Sequence, residues 1–235
     1  MSCKKIILKE REERVLEYTN FGDLNIELLE GSKLVLKLAN FADNSNIKIT
    51  GKVGKFAEIT VVFADFSKNF TKISSQIDLV EEGAKCDWRL ATLSNKKDNK
   101  TFDISFKHIV GKTTSIMDNY GVARDGSKIV FSGISHITEG AKNSNAKQNA
   151  KIIVFDKNSQ GVASPILKID ENEVQASHGA VVGQLNSDHM FYLMSRGLTY
   201  DDARMIITLG YLKPVSAQFS EETQSMIENA IKEAM

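Results

Sequence analysis

From about residue 24 to residue 185 the apolar side chains of this chain recur at every second position, run after run, with short polar breaks between the runs. Leu34, Leu36 and Leu38 alternate with Lys33, Val35 and Lys37, and the same beat returns in Ile59, Val61 and Phe63, in Ile73 through Leu79, in Cys86, Trp88 and Leu90, and in Phe102, Ile104 and Phe106. Further runs lie at Ile129–Ile137, Lys151–Phe155, Ile166–Ile169 and Val174–Leu185. A period of two puts alternate side chains on one face of a strand, so each run predicts a strand with one buried face. The breaks, among them Glu30-Gly-Ser, Asp43-Asn-Ser-Asn, Asp125-Gly-Ser and Asn143-Ser-Asn, carry residues that favour turns. Two breaks nearly repeat, Glu82-Gly-Ala-Lys85 and Glu139-Gly-Ala-Lys142, each entering a strand. A repeated corner fits the stacked rungs of a solenoid, while a sandwich or barrel satisfies the same periodicity.

After about residue 186 the period becomes helical. Ser187-Asp188 predicts the cap of a short helix through Met194, with Gly197 just past its end. Thr199-Tyr-Asp-Asp202 reads as a variant capping box, followed by Ala203, Ile206, Ile207 and Gly210 on one predicted apolar face. Pro214 is expected to end that helix, and Ser220-Glu-Glu to open a last one with Met226, Ile227, Ala230 and Ile231 in a stripe. The expected layout is a β body over residues 1–186 and a helical subdomain over 187–235, forming one folding unit.

Composition narrows the class of protein. With 235 residues, 42% hydrophobic, the chain can bury a core without disulfides, and disorder is excluded. Lys+Arg and Asp+Glu balance at 30 each, so no overall field steers it toward nucleic acid or an anionic membrane. Cys3 and Cys86 form no close pair, which argues against a disulfide scaffold or a zinc module and for a reducing compartment. The N-terminal apolar run, Ile6-Ile-Leu, is too short for a signal peptide, and no run reaches the length of a membrane span. A cytoplasmic protein is expected.

Few residues promise chemistry. Gly111-Lys-Thr-Thr114 copies the end of a phosphate-binding loop, but the position that needs the loop's first glycine is Phe106, inside a predicted strand, so nucleotide binding is not expected. His108, His136, His178 and His189 are too scattered for a local metal motif. His108 shares the parity of Phe102, Ile104 and Phe106 and reads as a hydrogen-bonded core histidine; Cys86, in phase with Trp88 and Leu90, reads as a small buried hydrophobe. His178 shares its parity with Val174, Ala176, Ala180 and Val182, which on pattern alone makes it a core residue, while Ser177 points the other way and cannot pair with it.

A family resemblance changes the weight of His178. Pro165-Ile-Leu-Lys-Ile, Val174-Gln-Ala-Ser-His-Gly-Ala-Val-Val-Gly183, Phe191-Tyr-Leu-Met-Ser-Arg-Gly197, Asp202-Ala-Arg-Met-Ile-Ile207 and Gly210-Tyr resemble the C-terminal half of the SufB/SufD family of the SUF iron–sulfur cluster assembly machinery. Tyr120-Gly-Val-Ala-Arg-Asp-Gly-Ser-Lys-Ile-Val-Phe-Ser-Gly133 and Glu139-Gly-Ala-Lys-Asn-Ser144 resemble its β core. The likeness is firm over about 111–212, weaker before, and nearer to SufD than to SufB.

The resemblance implies a right-handed parallel β-helix with a C-terminal helical segment, and a non-enzymatic scaffold subunit. It implies docking on a SufC-type ATPase and pairing, through the β-helix, with a SufB-type subunit or a second copy. His178 matches the SufD histidine placed at the paired interface and implicated in cluster assembly, a possible iron ligand there. Arg196, Gly197, Tyr200, Met205, Ile206, Gly210 and Tyr211 fall in the segment expected to meet SufC, with packing of the tail on the β body as the alternative for the apolar ones. The family's N-terminal helical region has no counterpart, so a shortened, core-only member is expected. Ile169 stands where SufB carries its cluster cysteine, and Ala176 offers no thiol beside His178. Any cluster is therefore expected to be transient, at a subunit interface, with most ligands from a partner. Cys86 is a weaker site candidate, contributing only if it reaches the interface of His178. Two rival readings stand beside this one: a purely structural β-solenoid that binds partners without metal, and a β-helix enzyme acting on carbohydrate, which would need paired carboxylates on neighbouring rungs.

Overall fold

The computed structural model describes residues 3–234; residues 1, 2 and 235, at the outer ends of the two expected subdomains, lie outside them. The strands run β1 (Lys4–Leu8), β2 (Glu13–Thr19), β3 (Leu24–Leu28), β4 (Lys33–Asn40), β5 (Asp43–Val53), β6 (Glu58–Asp65) and β7 (Lys68–Leu79). They continue as β8 (Lys85–Ser94), β9 (Asn99–His108), β10 (Thr114–Ala123), β11 (Lys128–Ile137), β12 (Asn145–Val154), β13 (Gln160–Ile169) and β14 (Gln175–Gln184). Odd-numbered strands build one seven-stranded sheet and even-numbered strands the other, each in chain order. Every pairing within a sheet is parallel. The chain therefore passes from one sheet to the other and back, one rung at a time, as a mainly β, parallel solenoid.

Register explains the period of two. Leu34, Ile59 and Cys86 stack between successive rungs, as do Leu36, Val61 and Trp88, and Leu38, Phe63 and Leu90. All nine are at most 2% exposed and line the core between the sheets. Phe63 links this core across rungs, stacked on Trp88 at 5.9 Å and edge-on to Phe102 at 6.5 Å. Outward positions of the odd sheet meet water. On the even sheet the outward Ala39, Ala64 and Ala91 form one small-residue row that lets a helix approach closely.

Four strands depart from the expectation. β1 and β2 precede the run that the alternation marked, because charged Lys4, Lys5, Glu13, Arg14 and Glu17 break up their pattern. β10 is hidden because its inward positions are Ser115, Met117, Asn119 and Gly121, not aliphatic residues. Asp43-Asn-Ser-Asn, expected as a turn, opens β5: Ser45 faces inward and is bonded to Asn40 Nδ2 at 2.9 Å, so its polarity serves the interior.

The near-repeated corners do coincide structurally. Gly83 and Gly140, at φ +77 and +83, each turn the chain from the odd sheet to the even one. Gly111-Lys-Thr-Thr114 fills the same corner between β9 and β10 and is not a phosphate loop: Lys112 Nζ reaches Glu82 Oε1 at 2.8 Å and Thr113 is buried against His108. The two glycines differ in surroundings. A Cβ at Gly83 would lie 2.2 Å from the Phe56 ring, whereas one at Gly140 would meet nothing within 4 Å. Gly140→Ala is expected to cost about 1–2 kcal/mol for its left-handed backbone, and Gly83→Ala clearly more because Phe56 must also leave its place. Equal losses in urea unfolding would show that Phe56 simply swings aside.

The helices are α1 (Ser187–Ser195), α2 (Tyr200–Ser216) and α3 (Glu221–Ala234). Asn186, not Ser187, caps α1, because its side chain accepts from the backbone N–H groups of both Asp188 and His189. Gly197, at φ +92, and Thr199, accepting from Asp202 N at 3.1 Å, take the roles expected of them. Pro214 does not stop α2, which continues to Ser216. A proline deprives the carbonyl four residues earlier of its donor, and here that residue is the exposed Gly210, whose carbonyl water can satisfy. The buried face of α2 is Ala203, Arg204, Thr208, Leu212 and Val215, so Ile206 and Gly210 point away from the body, contrary to the expected stripe. Leu212, Val215, Phe219, Ile227 and Ile231 pack on the alanine row and on Val62, Leu93 and Val122. Glu17 of β2 fastens α3, accepting from Ser220 Oγ and Thr223 Oγ1, each at 2.6 Å. Burial pushes its carboxyl up, but these bonds outweigh it and hold the group below the usual carboxylate range. No helix among the described residues is long and apolar enough to cross a membrane.

Candidate functional site

The two ends of the solenoid are built differently. At the first rung Lys4 and Tyr18 both face inward, in register with Leu24 and Leu38, and the Lys4 ammonium lies 3.8 Å from the Tyr18 ring centroid. Arg14 is paired with Glu12 beside them. Charged side chains on edge strands discourage pairing with another chain. At the last rung β14 reads Gln-Ala-Ser-His-Gly-Ala-Val-Val-Gly-Gln, with no Asp, Glu, Lys or Arg, and all ten residues are exposed. β13, the other edge at this end, carries only Lys168. This end presents two strands with one unpaired edge each and an open, largely apolar mouth.

His178 lies in that mouth. Its register neighbours are Gln148, Met117 and Trp88, one per rung, all inward. Parity therefore places it as the alternation predicted, but no further rung covers it, so the imidazole is exposed rather than in the core. Beneath it the interior turns polar: Gln148, 2% exposed, donates through Nε2 to Ser135 Oγ at 2.6 Å and to the Ile166 carbonyl at 3.1 Å. Ser177 points outward, paired in register with Lys147.

The remaining sequence candidates lie elsewhere. Cys86 is in the column of Ser115, Ala146 and Ala176, three strands from β14, which puts it at least ~14 Å from His178. Burial pushes its thiol well above the ordinary range, and Asp87 pushes it in the same direction, so it stays protonated in the core. His108 is fully buried, with Nδ1 2.7 Å from Thr113 Oγ1 and Nε2 2.8 Å from Ser115 Oγ. Among the described residues no group of three or more His, Cys, Asp or Glu could hold a metal ion, and His178 has no thiol beside it. Among the described residues, the open edge of β13 and β14 thus presents the His178 imidazole and no thiol.

In the helical segment the expected contact residues divide. Arg196, Gly197, Tyr200, Ile206 and Gly210 are exposed; Met205 and Tyr211 pack partly against the body. Tyr211 meets Tyr120 edge-on at 5.9 Å, and burial pushes its phenol up to about 12. The sequence reading missed the most exposed aromatics of the tail: Phe191 is 76% and Tyr192 57% exposed, with Met194 at 44% on the same helix. The Arg196 guanidinium lies 5.3 Å from the Tyr192 ring centroid. Their signal was a Phe-Tyr pair in a helix that, beyond Met190, has no buried residue to pack them.

Residues 25–211 match the model of the SufBD core domain of SUF system FeS cluster assembly. The chain belongs to the SufBD family. Among curated relatives it is similar to the iron-sulfur cluster assembly protein SufD of Bacillus subtilis, 29% identical over 160 residues, covering 66% of this chain and 37% of that protein. It is 24% identical over 187 residues to a SufBD family protein of Mycobacterium tuberculosis, covering 79% of this chain and 22% of the other. A SufBD family protein of Staphylococcus saprophyticus is 25% identical over 154 residues, covering 66% of this chain and 33% of its own. This SufBD chain thus spans well under half the length of these relatives, whose names describe assembly proteins rather than catalysts.

Proposed function

We propose that this SufBD chain is a non-enzymatic, SufD-like scaffold subunit for cytoplasmic iron–sulfur cluster assembly. It pairs through β13 and β14 with a SufB-type subunit or a second copy, and docks a SufC-type ATPase on its tail helices. The observation that carries the reading is the last rung: a ten-residue edge strand without a charge, exposed throughout, in a solenoid whose other end is guarded by lysine and arginine. An unprotected flat edge is a template for another strand. The cluster is cargo in this reading. His178 supplies one imidazole ligand at the paired edge, and the thiolates that clusters prefer come from the partner. Support for the ATPase site comes from the exposed Phe191, Tyr192, Met194, Tyr200 and Ile206, an aromatic and aliphatic set of the kind enriched at interface centres.

The test separates the two surfaces. The chain is mixed with SufB-type and SufC-type proteins from its own genome and the complexes are resolved by size-exclusion chromatography. Ala180→Lys, which turns a charge into the open mouth, is expected to weaken pairing at least ~100-fold, equivalent to about 3 kcal/mol, while leaving ATPase binding intact. Phe191→Glu is expected to do the reverse. His178→Ala should lower the cluster yield of the assembled complex on anaerobic reconstitution without changing its size. A yield indifferent to His178 leaves a structural subunit, and pairing untouched by Ala180→Lys removes β14 from the interface.

A further inference from the structure

A cavity of about 500 Å³ opens between the β6–β7 turn, the β8–β9 turn and the last turn of α3. Its nearest wall, at β8, lies three strand spacings, about 14 Å, from β14, so what it does is independent of the pairing proposed there. Its apolar lining comes from Phe66, Leu93 and Ala230, the first two at most 6% exposed. Its mouth carries Lys68, Lys96 and Lys97. The two carboxylates nearby are engaged: Asp98 accepts from the backbone N–H groups of Asn69 and Asn95, at 2.7 and 2.9 Å, and Glu233 meets Lys68 at 3.7 Å. Lys96 and Lys97 make no ion pair among the described residues, and both are exposed.

An apolar floor of this size under two unpaired ammonium groups is the arrangement that holds a small molecule with an apolar body and an anionic head. The wall opposite the lysines sets the charge. It is the C-terminal end of α3, whose last carbonyls carry partial negative charge, that of Ala234 already accepting from Asn95 Nδ2 at 3.0 Å, and repel a polyanion, whereas a single anionic group can stay on the lysine side. We propose that this cleft binds a medium-chain carboxylate or a molecule of the same class, with its chain against Phe66, Leu93 and Ala230 and its head at Lys96 and Lys97.

The probe is octanoate, titrated into the ¹⁵N-labelled full chain, with n-octanol as the uncharged control. Octanoate is expected to shift the amide signals of the cleft residues saturably, and n-octanol to bind at least tenfold more weakly. Lys97→Glu together with Lys96→Asn, the latter chosen because position 96 has φ +54 and asparagine tolerates it, should weaken octanoate at least tenfold while leaving the thermal midpoint unchanged. Ala230→Phe should abolish the shifts by filling the floor. Shifts that never saturate, equal affinity for the neutral alcohol, or affinity unchanged in the lysine variant would each overturn the proposal.

Discussion

Replacing Lys100 by methionine is expected to destabilise the fold by about 3–5 kcal/mol, because it leaves an uncompensated carboxylate in the core. Lys100 and Asp65 are both fully buried, with Nζ 2.8 Å from Asp65 Oδ2 and 2.8 Å from the Leu93 carbonyl. Asp65 also accepts from Asn40 Nδ2 at 2.8 Å, Ser67 Oγ at 2.9 Å and Thr92 Oγ1 at 3.2 Å, so the pair is satisfied on both sides. The network spans β4, β6, β8 and β9 at the corner where the chain returns from the even sheet to the odd one. Its net worth is small, since desolvating both ions offsets most of their attraction, but its halves cannot be separated cheaply. The double variant Lys100→Met, Asp65→Asn removes both charges and keeps an oxygen at Oδ1 for the donors of Asn40 and Ser67, while its new amide N–H faces the Thr92 hydroxyl, which can accept. It should recover most of the single variant's loss. In thermal unfolding the single variant falls by roughly 10 °C, at about 2–4 °C per kcal/mol for a chain of this size. Two single losses that simply add in the double variant would show that the charges are not coupled.

That network also marks the boundary of what the alternation reveals. Asp65 has the parity of Ile59, Val61 and Phe63, and Lys100 that of Phe102, Ile104 and Phe106, so two opposite charges in phase with apolar runs were visible. Their meeting was not, because the residues that join them across the corner are set by how the turns close. The solenoid itself was readable from one face: the marked runs up to β12 line the core between the sheets, and the two near-identical corners sit two rungs apart in the same stack, with the β9–β10 corner between them. β10 escaped because a polar interior erases the contrast on which periodicity depends. His178 shows the complementary limit. Its direction followed from parity, but its exposure depends on β14 being the last strand of its sheet, which no local pattern encodes. In the tail, caps at Thr199 and Gly197 were legible because they act through neighbouring backbone, whereas the buried face of α2 was not: Arg204 and Thr208 occupy it, with the Arg204 guanidinium 4.9 Å from the Phe155 ring centroid.

The second large effect concerns acid. Burial holds His108 down at about 4, against 6.5 for a free imidazole, so the folded chain keeps it neutral where the unfolded chain charges it. The sign follows directly. As pH falls from about 6.5 toward 4 the unfolded state binds a proton that the folded state refuses, and stability drops through that window, by about 3 kcal/mol in all. The lowered carboxyls of Glu17 and Asp156 also lose their contribution in acid, but only once pH approaches their unfolded values of 4.5 and 3.8. Between pH 6.5 and 4.5 the histidine therefore acts in a window of its own. Its neighbours satisfy the neutral form: a neutral imidazole donates from one nitrogen and accepts at the other, and each nitrogen faces a hydroxyl, on Thr113 and on Ser115, that can take either role. His108→Asn retains a polar partner for Thr113 and cannot titrate. Urea unfolding of both proteins across that window should show the wild-type midpoint falling with pH while the variant, less stable at pH 7, stays nearly level, so that the two curves converge. Parallel curves would mean that the acid sensitivity arises elsewhere in the chain.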